Sequence, residues 1–260
     1  MPITQNTKLK ILLDKLVETY ETSDFIKDDP IQFPHRFSKK EDIEIAGFIA
    51  SLFAFGKREL FIKKLTQFLE ISDNKPFYYV QNGNFSQISE QNFNYRFIKP
   101  DDMVQMLKIL HSLYKNDGGL ENLFKKGYEL SLKTNSKQDL FKYVTDYFYS
   151  RVKENTGAGF YFMFPNPYKG GAMKRMCMFL RWMIRKSDVD LGIWNFMPKS
   201  ELLIPLDVHV GRISKEMGIL TRKANDFKSV LEITDKLCEF CPEDPIKYDF
   251  AMFGYGVNRN

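Results

Sequence analysis

Apolar residues recur along this chain at spacings of three and four. Leu9, Leu12, Leu13, Leu16 and Val17 predict an amphipathic first helix ending near Glu21. The stretch from Asp28 to Phe37 carries Pro30 and Pro34 and reads as an ordered loop. Ser38 and Glu41 have the spacing of a capping box ahead of Ile43–Phe55, a run apolar nearly all round and therefore buried. Gly56 ends that helix, and Lys57 to Leu69 predicts the next. Residues 73–100 are the least regular, with Tyr78–Val80 an ambiguous strand-like piece. Helical spacing returns at about 101–115, 120–133 and 136–153, and Pro/Gly clusters make 155–171 a long loop or tight hairpin. Further helices are expected at about 172–186, 207–217, 225–239 and 243–254, with residues 187–205 as a connection holding Trp194 and Pro198. No clear period-2 strand, internal repeat or low-complexity segment interrupts the pattern, so the fold class is all-α.

Composition adds bounds to that picture. Across 260 residues, 43% are hydrophobic and 27% charged, a soluble globular balance, and 24 Phe with 13 Tyr predict an aromatic core. The net charge of +5 sets 38 basic against 33 acidic residues, which permits an anionic partner without requiring one. Three cysteines argue against a disulfide framework and fit a reducing compartment. The polar start of the chain lacks a signal-peptide core, and no apolar run nears the roughly 18 residues of a membrane span. The expectation is a cytoplasmic protein with no membrane association and no evident obligate protein partner.

Two segments could carry chemistry. Gly170-Gly171-Ala172-Met173-Lys174 leads into a helix expected to run from Ala172, with Met173, Met176, Cys177, Leu180, Met183 and Ile184 on one face. Lys174, Arg181 and Arg185 form a stripe on the other, and Arg175 adds charge beside Lys174. A glycine turn opening a helix presents backbone N–H groups suited to phosphate. The same stripe is equally the solvated face of an ordinary amphipathic helix. Downstream, Pro205-Leu206-Asp207 is a helix start with aspartate at the N-cap. A rigidly capped carboxylate can also steady positive charge on a sugar or orient a water. A lysine attacking carbon must be neutral, a state that burial and a neighbouring cation favour. Cys238-Glu-Phe-Cys241 has too few companions for a four-ligand metal site and reads as structural. His35, His111 and His209 show no metal-ligand spacing; His111 reads as packed near the core, whereas loop-borne His35 could touch a ligand. Walker A, GxGxxG and GxSxG patterns are absent. No metal or cofactor is implied.

Pro205-Leu206-Asp207-Val208-His209-Val210-Gly211-Arg212 resembles the post-hairpin segment of the helix-hairpin-helix DNA glycosylases. Gly171-Ala172-Met173-Lys174 is similar to the end of their hairpin and its lysine. The likeness covers about residues 160–260. More narrowly, Lys174-Arg175-Met176 leading to Met178–Met183, together with Asp207–Ile213, looks like a bacterial family of unknown function. The usual Leu-Pro-Gly-x-Gly hairpin is replaced by Pro165–Gly171, the Lys174–Asp207 connection is long, and the iron–sulfur cysteines of the endonuclease III branch are missing.

The resemblance implies one all-α domain over residues 1–260, a two-lobed orthogonal bundle with a hairpin-like segment at 160–220. It implies a base-excision N-glycosylase, possessing or lacking AP-lyase activity, that acts on a damaged base such as an oxidised purine in double-stranded DNA. Lys174 is then the nucleophile and Asp207 its charge-stabilising partner. Lys169, Gly170, Gly171, Arg175, Arg181, Arg185, His209 and Arg212 are the nucleic-acid-binding candidates. Two alternatives remain beside it: a non-catalytic helical nucleic-acid-binding module, and an enzyme acting on another nucleoside or nucleotide.

Overall fold

The first periodic stretch forms α1 (Gln5–Tyr20), and helices follow it to the other end of the chain. The computed structural model describes residues 5–154 and 156–257. Among these, the successive helices are α2 (Lys40–Phe53), α3 (Arg58–Ile71), α4 (Pro76–Asn82), α5 (Ser86–Glu90), α6 (Pro100–Asn116), α7 (Gly119–Thr134) and α8 (Lys137–Tyr149). They continue with α9 (Ala158–Met163), α10 (Lys174–Ile184), α11 (Val208–Glu216), α12 (Phe227–Phe240) and α13 (Tyr248–Val257). No strand occurs among the described residues; Tyr95–Ile98 and Lys186–Leu191 form isolated bridges. The protein is all-α. No helix among the described residues is long and apolar enough to cross a membrane.

The chain divides into two compact units. One is contiguous, Pro30–Lys169, and the other joins Met1–Asp29 to Gly170–Asn260. The division falls inside the 160–220 segment, leaving α9 in one unit and α10 in the other.

In the contiguous unit α2 is the hub. Every residue from Ile43 to Phe53 is buried, and the helix packs against α3, α4 and α7. Phe48 lies among Phe124, Phe148 and Phe164, with Phe148 and Phe164 stacked at 4.0 Å. Offset and edge contacts of this kind add roughly 0.5–1.5 kcal/mol per pair beyond area burial. The discontinuous unit is organised on α13, which packs along α1 and against α11. Gly254 makes the first contact possible, because a Cβ there would sit 2.4 Å from Tyr20 Cγ.

Several local expectations need correction. The Ser38–Glu41 capping box does not form: α2 starts at Lys40 with extended Lys39 at its cap and no side-chain cap bond, so Ser38 is out of register. Tyr78–Val80 is helical within α4, started by Pro76 at its first turn. The 28–37 loop holds two short 3-10 turns, Pro30–Gln32 and Pro34–Arg36, after a third at Ser23–Asp28, and the 155–171 region contains α9 and one more such turn. The helix expected from Ala172 begins at Lys174, because Met173 at the cap has φ +55°.

Candidate active site

The chain reaches α10 through a reversal at Gly170, whose φ of +85° glycine accommodates readily. Met173 is left-handed as well, with its side chain buried, and its carbonyl accepts the first helical bond from Cys177 N at 2.9 Å. Lys174 therefore opens the helix, and its side chain remains about one-third exposed (32%).

Asp207 is placed by an apolar run on one side and a cap on the other. Leu202 through Leu206 are buried, and Ile204 N–H donates to Thr234 Oγ1 of α12 at 3.2 Å. Asp207 follows at the N-cap of α11, where Oδ1 accepts from Val210 N at 2.8 Å. Its other oxygen, Oδ2, lies 3.8 Å from Lys174 Nζ. One carboxylate thus fixes a helix end with one atom and faces a lysine with the other. At 12% exposure the Asp207 side chain is far drier than the lysine opposite it.

Beneath this pair is a buried ionic cluster that overturns the expected cationic stripe. Arg181 and Arg185, at 3% and 4% exposure, point inward instead of toward solvent. Arg181 pairs with Asp190, Nε to Oδ1 at 3.1 Å, and with Asp249. Arg185 pairs with Glu21, with Asp190 at 2.9 Å and with Asp244 at 3.0 Å. Asp190 is carried there by the turn that closes α10: Leu191 N and Gly192 N both donate to Trp182 O, and Trp194 N donates to Met183 O. These two arginines are internal ties of the discontinuous unit and offer nothing to a phosphate from outside. A charged group so buried persists only with partners, and here each guanidinium has at least two.

Asp249, on the first turn of α13, links the cluster to the Lys174–Asp207 pair. Its carboxyl is pushed up to about 7, first by desolvation. The charges of Asp207 and Asp190 push the same way, against Arg181 and Lys174. Cys177, one turn along α10 from Lys174, is buried, and burial with the nearby Asp249 charge holds its thiol well above the ordinary range. Lys174, Asp207 and Asp249 are therefore one electrostatic group.

The remaining predicted residues scatter. Arg175 is half-buried, and desolvation draws its guanidinium below the ordinary range. His209 is half-buried with its ring edge-on to Phe253 at 5.9 Å. Arg212 donates to Gly256 O at 2.7 Å and pairs with Glu216 at 3.1 Å, so it serves the end of α13. Gly171 is half-buried, while Lys169 is exposed at the end of a 3-10 turn and belongs to the other unit. His35 is exposed, and His111 Nδ1 lies 2.8 Å from Val80 O. Cys238 and Cys241 are half-buried and form no disulfide. Among the described residues no three His, Cys, Asp or Glu side chains are grouped to hold a metal.

Asp190, Asp244, Asp249 and Glu21 were not singled out from the sequence. Two carried a readable signal: Asp190 sits between Val189 and Leu191, and Asp249 between Tyr248 and Phe250. A carboxylate inside an apolar run is a candidate for burial, and a buried carboxylate needs a cation.

A family model described as a protein of unknown function (DUF2400) matches residues 29–258, and the chain belongs to that family. No curated protein and no solved structure matches the chain.

Proposed function

We propose that this DUF2400 protein is a DNA N-glycosylase with lyase activity, acting on a damaged base flipped out of double-stranded DNA. The observation that carries the reading is the Lys174–Asp207 pair, a half-buried lysine whose amine lies 3.8 Å from a helix-capping, nearly buried carboxylate. In its neutral form Lys174 attacks the sugar C1′ as the glycosidic bond breaks and the base departs with the bonding electrons, to be protonated by water. Asp207 balances the positive charge that grows on the sugar and accepts the proton lost by the new secondary amine. Its second oxygen, bound to Val210 N, holds the group still while this happens. The proton held by Asp207 passes to O4′ as the ring opens and leaves a protonated Schiff base to Lys174; loss of a C2′ proton to water then expels the 3′ phosphate. Gly170, Gly171 and Arg175 stand nearest in sequence to the nucleophile and are the phosphate contacts this reading retains; Arg181 and Arg185 are released from that role by their burial.

Sodium borohydride trapping tests it directly. Duplexes carrying 8-oxoguanine, uracil or an abasic site should give a covalent adduct that Lys174→Ala abolishes and Asp207→Asn weakens. An adduct persisting in Lys174→Ala removes the assignment of nucleophile. Absence of any adduct, with duplex binding that falls steeply as salt rises, favours a non-catalytic nucleic-acid module instead.

A further inference from the structure

The contiguous unit carries an exposed aromatic face that the chemistry at Lys174 does not use. Tyr95 and Ile98 close a tight turn, exchanging N–H···O bonds of 2.9 Å in both directions. Arg96 within it has φ +55°, a left-handed conformation uncommon for a long side chain. The result is that Phe97 is held out at 43% exposure. Two neighbours fix the turn in place. The Tyr95 hydroxyl donates to Phe55 O in the segment after α2. Helix α9 lies directly on the turn at Gly159, where a Cβ would stand 2.5 Å from Phe97 O and 2.8 Å from Ile98 Cα.

That close approach brings Phe162 of α9 edge-on to Phe97 at 4.3 Å. Phe55 completes the group, stacked on Phe97 at 5.6 Å and edge-on to Phe162 at 4.8 Å. Phe162 is 38% exposed and Tyr161 beside it 40%. Lys57, Arg58, Arg96 and Lys99 are exposed in the same segments, against Glu59 and Asp101 as the exposed acids there. Three clustered phenylalanines in an aromatic-rich chain would be expected inside. Phe97 and Phe162 instead stand at the surface over half-buried Phe55, Phe97 on a left-handed turn, a feature that calls for a partner.

We propose that this face is a stacking platform for an unpaired stretch of DNA. Bases stack on exposed rings, and the surplus of basic residues meets the phosphates between them. Interfacial lipid binding instead employs a long amphipathic helix, whereas these rings sit on a tight turn and a six-residue helix. The basic surplus favours a polyanion over an apolar protein surface. The platform lies wholly in the contiguous unit and goes beyond the glycosylase reading.

Fluorescence anisotropy with the full chain and a labelled oligothymidylate of ~12 nucleotides tests this. The double variant Phe97→Ala/Phe162→Ala should weaken binding by at least about fivefold, the lower end for loss of a base–ring stack. Tyr78→Ala, an exposed ring on α4 at 61%, should leave binding unchanged. Arg96→Gly keeps the left-handed turn without its charge and should lower the slope of log K against log salt by about 0.7. The inference is overturned if the double variant, with unchanged melting, binds like the parent. It is equally overturned if Arg96→Gly leaves the salt slope untouched, or if the two ring substitutions abolish binding to phosphatidylserine vesicles while sparing the oligonucleotide.

Discussion

Titration of Asp249 should be visible in the stability of the whole protein. Desolvation, reinforced by Asp207 and Asp190 and opposed by Arg181 and Lys174, lifts its carboxyl from 3.8 to about 7. A carboxyl whose folded value lies above its unfolded one holds protons more tightly in the native state. Stability is then greatest below the unfolded value and is lost as pH rises through the folded one. A rise of about three units corresponds to ~4 kcal/mol over the full interval. Between about pH 5 and pH 8 the portion lost is about 3 kcal/mol by the same linkage. Asn at position 249 keeps an oxygen to accept from Arg181 and has no proton to release, so its unfolding should lack this component. Urea unfolding of Asp249→Asn and the parent at both pH values isolates the term, since every other group titrates in both proteins. The variant should gain ~3 kcal/mol on the parent between the two conditions, whatever its fixed offset. A difference that stays constant to within about 0.5 kcal/mol refutes the titration assigned to Asp249.

Asp190→Ala should cost ~3–5 kcal/mol in chemical denaturation, because both Arg181 and Arg185 lose a partner in a site that water does not reach. Asp207→Ala should lower stability by ~1 kcal/mol through loss of the α11 cap, whereas Asp207→Asn keeps the acceptor and should unfold near the parent midpoint. Gly254→Ala drives a methyl into the Tyr20 ring and should cost ~1–3 kcal/mol by thermal unfolding; Tyr20→Ala in the same chain should recover part of it. Tyr79 buries a hydroxyl with no partner, so Tyr79→Phe should leave stability unchanged or raise it by up to ~1 kcal/mol in urea unfolding.

The helices of this protein are written locally, and its ionic interior is not. Period-3.6 spacing located α1, α6, α7 and α12 because each buries one face and leaves the other wet. Asp207 was legible for the same reason: the cap is a contact with Val210, three residues away. Lys174 could be paired with it only through the resemblance, and the two side chains stand 3.8 Å apart. Arg181 and Arg185 failed as a solvated stripe because, Asp190 apart, what neutralises them comes from distant parts of the chain. Asp249 is 68 positions from Arg181, and Glu21 is 164 from Arg185. On a helix buried from Met176 to Ile184, a basic stripe gives no indication of which way it faces until those acids are found. Met173 likewise shifted the start of α10 by a backbone conformation that no spacing rule anticipates.

The discontinuous unit also sets an order of events during synthesis. Tyr248 donates to Asp14 across 234 positions, and Arg185 closes on Glu21 across 164. At 5–20 residues per second, α1 waits on the order of tens of seconds for the helix it packs against. The contiguous unit, by contrast, is complete in sequence once Lys169 is made. Throughout that wait the newly made α10 holds two arginines whose acidic partners on α13 and the preceding turn do not yet exist. A ribosome that stalls before Asp249 therefore leaves the ionic core of the discontinuous unit half built. Truncated copies should be conspicuous to the cell's proteases for a reason written into the chain's connectivity.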